Sequence, residues 1–250
     1  MTRGRKLEIK FPEEFRDEAK YQHWPNKKKI PTIMVLMLRP NPYFFFDGKI
    51  ACIRVAVPYT AKRKSKNHEK GDVYLKDHTM GSEMFFELMR DQGFPAIAKA
   101  MWWMRGKVVL FRIDRARPHT GHHMHARLNE LGKTFDPQIK VDYQPAKSPD
   151  TNVHDIGLFP SMSARSRPLQ KHLGFFDVEA LWKAVQDIWD QFDGATIERT
   201  WQDRTLNLRE IIKHSGNNEF ELPHVSPAVR AALVPKYSEE CHYLKHTPDV

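Results

Sequence analysis

Phe111-Arg-Ile-Asp114-Arg-Ala-Arg117-Pro-His119-Thr120 is the stretch whose reading decides the fold, and it works together with Gln144-Pro-Ala-Lys-Ser148-Pro149-Asp150-Thr-Asn152-Val-His-Asp155-Ile-Gly-Leu-Phe159. The apolar run Val108–Ile113 predicts a strand that delivers Asp114 at its tip. Downstream, Met124, Leu128 and Leu131 share one face of a helix predicted from Gly121 to Leu131, with Gly132 at the C′ position, and Ile139-Lys-Val141-Asp-Tyr143 alternates as a second strand. Strand, helix, strand is a βαβ unit, and such sheets gather functional groups beyond the carboxyl ends of their strands. Asp114 and Asp155 both fall there, and two carboxylates brought together suit a hard divalent cation. A pair of Asp residues at this spacing is also what two ordinary caps would give. Asp150, in the Ser-Pro-Asp turn, is read as a turn former and cap ahead of Thr151-Asn152.

Outward from this centre, Leu7-Glu-Ile9-Lys-Phe11 alternates as a half-buried strand closed by Pro12, and Thr32–Leu38 is a continuous apolar run suited to a strand buried on both faces. Arg39–Pro42 reads as a loop, Asp47-Gly48 as a hairpin turn and Ile50–Val57 as the returning strand, so the first third reads as an antiparallel meander. Residues 58–80 are polar and basic and read as an exposed loop. Ser82 is a candidate cap for a helix through Met89, and Pro95 for the start of a second one through Met104 that Gly106 ends. Beyond Asp155 the chain reads as helical. Asp177 is the cap of a helix whose stripe is Val178, Leu181, Val185, Ile188, Trp189 and Phe192; Ile197, Trp201, Leu208 and Ile212 mark another that Gly216-Asn-Asn closes. The Trp residues fall at helical positions and read as core. Residues 225–250 read as an extended or poorly ordered tail to a single domain covering 1–250.

The 250 residues carry 40 Lys+Arg against 31 Asp+Glu, a net charge of +9, which favours a polyanionic partner, nucleic acid before an anionic membrane surface. Cys52 and Cys241 are too few for a disulfide framework or a zinc knuckle. No signal peptide or spanning segment is legible, so the expectation is a soluble intracellular protein. His122-His-x-His125 reads as surface histidines rather than a transition-metal site. The basic run Lys62-Arg63-Lys64-Ser-Lys66 is open to two readings, a DNA contact or nuclear signal, or a solvated loop.

The two acidic stretches resemble the second and third catalytic motifs of mariner-like (Tc1/mariner superfamily) DDE/D transposases, where Asp-Asn-Ala-Arg-Pro-His precedes Ser-Pro-Asp-x-Asn-Val-x-Asp-x-Gly-x-Phe. Further landmarks are similar to plant and oomycete relatives: Arg5-Lys6 before the Leu7–Phe11 strand with Pro12-Glu-Glu, which matches the family strand that follows the one with the first catalytic Asp, then Ile30-Pro-Thr-Ile-Met-Val, Phe46-Asp-Gly-Lys-Ile50, Ala61-Lys-Arg-Lys-Ser-Lys-Asn67 and Gly216-Asn-Asn-x-Phe-x-Leu-Pro-His224. The resemblance runs from about residue 5 to about residue 235.

It implies an α/β fold, an RNase H-like catalytic core of mixed sheet flanked by helices, with C-terminal helices. It makes Asp114 and Asp155 the second and third catalytic carboxylates and ligands of Mg²⁺ or Mn²⁺. Lys62, Arg63, Lys64, Lys66, Arg117 and His119 become expected nucleic-acid contacts, and the implied partners are DNA, a second copy or a full-length transposase, in the nucleus. Three departures shape the expectation. The family's first catalytic Asp, in an Asp-Glu-Lys-Trp strand, has no counterpart ahead of Leu7, and neither do the DNA-recognition modules; Arg115 stands where the family has Asn. The expected product is therefore truncated at its N-terminus, lacks its first strand and is impaired as an enzyme. Without the central strand, two inner sheet edges are left for another segment or chain to fill. The alternative is a non-catalytic remnant that binds nucleic acid or a transposase; an independent nuclease would need Glu8 or Glu13 as its third carboxylate.

Overall fold

A computed structural model describes residues 32–65, 68–146, 148–173 and 178–217, with isolated positions near 226–232. The predicted strand at Leu7–Phe11, Lys66, the Asp177 cap and most of the C-terminal tail lie outside the described residues. The described chain is a mixed α/β fold in the order β1 (Ile33–Met37), β2 (Lys49–Arg54), β3 (Ala56–Thr60), β4 (Val73–Asp77), α1 (Ser82–Leu88), α2 (Phe94–Ala100), β5 (Val108–Ile113), α3 (Arg117–Thr120), α4 (Met124–Gly132), β6 (Gln138–Tyr143), α5 (Phe159–Leu173), α6 (Val178–Asp190) and α7 (Gly194–Lys213).

β1 and β2 pair antiparallel through a loop in which Gly48 adopts φ +96°, and β5 pairs parallel with β6 over their whole length. A Cβ on Gly48 would meet the Leu38 carbonyl at 2.7 Å, so the Asp-Gly turn signal has a steric basis. Both strand pairs rest on one helical layer. Met34, Leu36, Ile53 and Val55 from the first pair, and Val109, Ile113, Ile139 and Val141 from the second, share a core with Phe85, Phe94, Ile97, Met124 and Leu128. The opposite face of β1 is covered as well, since Val35 and Met37 pack with Val153, Leu158, Ile188, Trp189 and Phe192. The corresponding face of β5 is open: Leu110 is 52% exposed and Val108 is exposed too.

Several expectations change. Residues 58–80 contain the β3–β4 hairpin, whose tip alone is the expected basic loop. The returning strand breaks at the fully buried Val55, which bonds to Thr32 and His78, and β3 departs from there. Arg54 and Asp77 fasten the base of the hairpin. Ser82 is the first residue of α1 after Gly81, not its cap. No break occurs at Pro95, because α1 runs into α2 through a π-turn at Met89–Gly93, whose wider register accommodates the missing proline N–H. Gly132 ends α4 inside the helix, where a Cβ would collide with the Ile139 carbonyl of β6; close packing rather than a left-handed cap demands glycine. Ile212 and Trp102 are exposed rather than core, and the Trp103 ring stacks on Phe44 at 4.8 Å.

Candidate functional site

Asp114 follows β5 directly, and its position is fixed by three short-range devices. Its Oδ1 accepts from the Ala116 amide at 2.8 Å and from His119 Nδ1 at 2.6 Å. An ionised carboxylate only accepts, so Nδ1 carries the proton. Pro118, in the first turn of α3, starts the helix that presents His119. His119 is held in turn by the Phe85 ring at 4.2 Å and by Tyr143, whose hydroxyl donates to the His119 carbonyl at 2.6 Å. The His119 hydrogen bond holds the Asp114 carboxyl below the usual carboxylate range against the opposing effect of burial, with help from the Ala116 amide and from His154.

Asp155 belongs to a π-turn at His154–Leu158 and is exposed. Asn152 orients it, donating from Nδ2 to Oδ2 at 2.8 Å while its own Oδ1 accepts the His154 amide at 3.1 Å. Asn152 thus performs the turn-capping role expected of Asp150, which instead lies inside a 3₁₀ turn with its carbonyl held by Asn207. His154, next to Asp155 in the chain, lines the same cavity as Asp114. Its Nε2 is 3.0 Å from the Val35 carbonyl and its Nδ1 is 3.2 Å from Asn152 Oδ1. Both partners are acceptors and a neutral ring donates once, so the shorter contact, to Val35, takes the proton. Burial pushes the His154 pKa down, while the Val35 carbonyl and the charges of Asp155 and Asp114 pull it up.

Asp114 Oδ2 and Asp155 Oδ1 have no hydrogen-bond partner among the described residues, which leaves one free oxygen on each carboxylate. Carboxylate oxygens are the donor type that a hard cation takes, and these are two of the six or more it needs. No group of three His, Cys, Asp or Glu able to hold a metal occurs among the described residues. Arg115 does not oppose an ion there: its Nε donates to the Gln144 carbonyl at 3.0 Å, and its guanidinium lies 5.5 Å over the Tyr143 ring. The expected nucleic-acid residues separate into two groups. Lys62, Arg63 and Lys64 are exposed at the β3–β4 tip, with Lys64 paired to Glu69. Arg117 is exposed beside Asp114, whereas the His119 ring is committed to Asp114. His125 meets the Val141 carbonyl, in line with a structural histidine.

Sequence reasoning missed His154 and Asn152. The three-residue spacing of Asn152 from Asp155 was the available signal, while the contact of His154 with β1, 119 residues away, left none. No family model matches the chain, and no curated protein or solved structure matches it significantly. No helix among the described residues is long and apolar enough to cross a membrane.

Proposed function

We propose that this chain is derived from a mariner-like DDE/D transposase with an RNase H-like core, and that Asp114 and Asp155 hold a divalent cation for chemistry on DNA phosphodiesters. The observation that carries the reading is the convergence of both carboxylates on His154, one from the end of β5 and the other from the π-turn before α5. His119 keeps Asp114 ionised and fixed, and Asn152 orients Asp155. Bound Mg²⁺ would supply activation of water or a 3′-hydroxyl and charge stabilisation of the leaving oxygen. Arg117 and the basic hairpin tip would meet backbone phosphates, and the expected site of action is nuclear DNA. With two carboxylates, cation binding is weak and strand cleavage by the isolated chain is low.

The test is titration with Mg²⁺ or Mn²⁺ while nicking of supercoiled DNA is followed, in wild type, Asp114→Ala and Asp155→Ala. Weak cation binding lost in both variants, with little nicking in any, is the expected result. Robust Mg²⁺-dependent nicking abolished by Asp155→Ala would mean that a third ligand completes the site and that the chain is a competent enzyme. A second reading, a non-catalytic binder of nucleic acid, is favoured by the exposed Lys62, Arg63 and Lys64. It predicts DNA binding that weakens with salt and survives removal of Mg²⁺.

A further inference from the structure

β1 and β5 face each other across a slot with no strand between them among the described residues. One cavity of about 300 Å³ is lined by Ile33–Leu36 and Phe111–Asp114, and a second of about 110 Å³ by Leu36–Leu38 and Val109–Arg112. The two strands therefore run antiparallel along one continuous gap, with Ile33 at the Asp114 end. Their backbones are poised for pairing. Thr32 and Leu38 bond to Val55 and Gly48 on the β2 side, so the alternating groups of Ile33, Val35 and Met37 point into the slot. Lys107 and Ile113 bond toward β6, so those of Val108, Leu110 and Arg112 point into it from the other side. Of these, the Val35 carbonyl already accepts from His154, and a carbonyl can accept a second N–H.

The slot has two chemically different faces. Toward α1, α2 and α4 lies the shared apolar core. The opposite face carries Arg112, Arg204, Trp201 and Thr151. Trp201 Nε1 there is buried with no hydrogen-bond partner among the described residues, and burial together with the neighbouring Arg112 lowers the Arg204 pKa. Arg112 is already paired with Asp142 at 3.0 Å and Arg204 Nε donates to the Thr151 carbonyl at 2.9 Å, so the group on this face that still wants an acceptor is the indole N–H.

We infer that the slot is the docking site of this chain's own segment Leu7-Glu8-Ile9-Lys10-Phe11, inserted as a strand parallel to β5 and antiparallel to β1. The alternation fits both faces: Leu7, Ile9 and Phe11 face the core, while Glu8 and Lys10 share the polar side, where the Glu8 carboxylate can accept from the Trp201 indole. The connection fits too. Such a strand ends at the Asp114 end, where β1 begins, so residues 12–32 need only turn back and make no crossover. The result is one mixed sheet in the order β2, β1, inserted strand, β5, β6. Glu8 then faces the Trp201 indole and is not a third metal ligand, so this inference stands or falls separately from the cation site.

Amide hydrogen exchange on the full-length chain tests it, in wild type and in Ile9→Pro, which removes an N–H from the middle of the strand. In wild type the slot-facing amides of Val35 and Leu110 are expected to be protected together with those of Leu7–Phe11. In Ile9→Pro that protection falls at least tenfold, while Val109 and Phe111, bonded to β6, stay protected and report that the fold survives. Glu8→Lys gives the same loss with the apolar face intact. Freely exchanging Val35 and Leu110 in wild type would overturn the inference. So would protection that persists in Ile9→Pro and Glu8→Lys, or that rises with protein concentration, which would assign the strand to a second copy.

Discussion

Asp77→Ala should unfasten the hairpin that carries the basic tip, at a cost far larger than its surface location suggests. Arg54 is one of the most enclosed cations of the described chain, its side chain 5% exposed and that of Asp77 8%. The pair is bidentate, with Nε to Oδ1 at 2.8 Å and Nη2 to Oδ2 at 3.3 Å. Glu179 completes the set from α6 at 2.8 Å, but its side chain is 59% exposed. Burial alone would push the Arg54 pKa down; the hydrogen bonds that it donates to Asp77 and then to Glu179 outweigh it and raise the pKa. Removing one partner of a buried pair costs about 3–5 kcal/mol. Glu179 and the Leu75 carbonyl remain in Asp77→Ala, so the lower end, about 3 kcal/mol, applies. In a chain of this size that is a fall of roughly 6–12 °C in melting temperature. Glu179→Ala should cost at most about 1 kcal/mol because water screens and replaces it. The double change Arg54→Met with Asp77→Leu should recover most of the loss, since no charge is left buried. Urea and thermal unfolding of the four proteins provide the assay. Asp77→Ala within about 1 kcal/mol of wild type, or no worse than Glu179→Ala, would refute the argument that burial of Arg54 sets the magnitude.

Two further outcomes follow from named residues. The folded-state pKa of His154 is depressed, so as pH falls through about 6.5 the unfolded chain takes a proton that the folded chain refuses. Stability is full above that value and declines as pH falls toward the depressed pKa, by at most about 1.4 kcal/mol per pH unit from this group. Urea midpoints between pH 7.5 and 5.5 should show the decline in wild type and a smaller one in His154→Gln; an equal decline in both would remove His154 as its source. Gly132→Ala should cost about 3 kcal/mol or more, because the obstructing Ile139 carbonyl is backbone and cannot turn aside. Gly81→Ala, with nothing near the added methyl, should be neutral or slightly stabilising, and equal melting temperatures for the two variants would contradict the packing argument.

What was legible in the sequence divides along a physical line. Val108–Ile113 and Ile139–Tyr143 declared themselves because apolar periodicity records burial, and Asp114 was found because it ends such a run. The β3–β4 hairpin hid behind Pro58 and the lysines of its tip. Its strands are exposed or half-buried up to Asp77, and that anchoring residue is buried where Arg54 pairs with it. Local pattern carries no trace of such a partner. The helix through Pro95 was missed for a related reason, since a π-turn shifts the register that a regular helix would impose.

The candidate site shows the same division. The two carboxylates are visible as motif residues, but what controls them is tertiary: His119 is fixed by Phe85 and Tyr143, and His154 reaches across to β1. Among the described residues, the facing edges of β1 and β5 have no strand paired to them. Their chemistry was not legible, because Arg112, Trp201 and Arg204 come from a strand and a helix nearly a hundred residues apart. That chemistry discriminates between occupants. A strand that merely completed the ladder would satisfy Val35 and Leu110, but one with an acceptor on its polar face also answers the Trp201 indole, which has no partner among the described residues. Backbone pairing alone leaves that indole unanswered, so an acceptor at the position of Glu8 is what a competing segment would have to match.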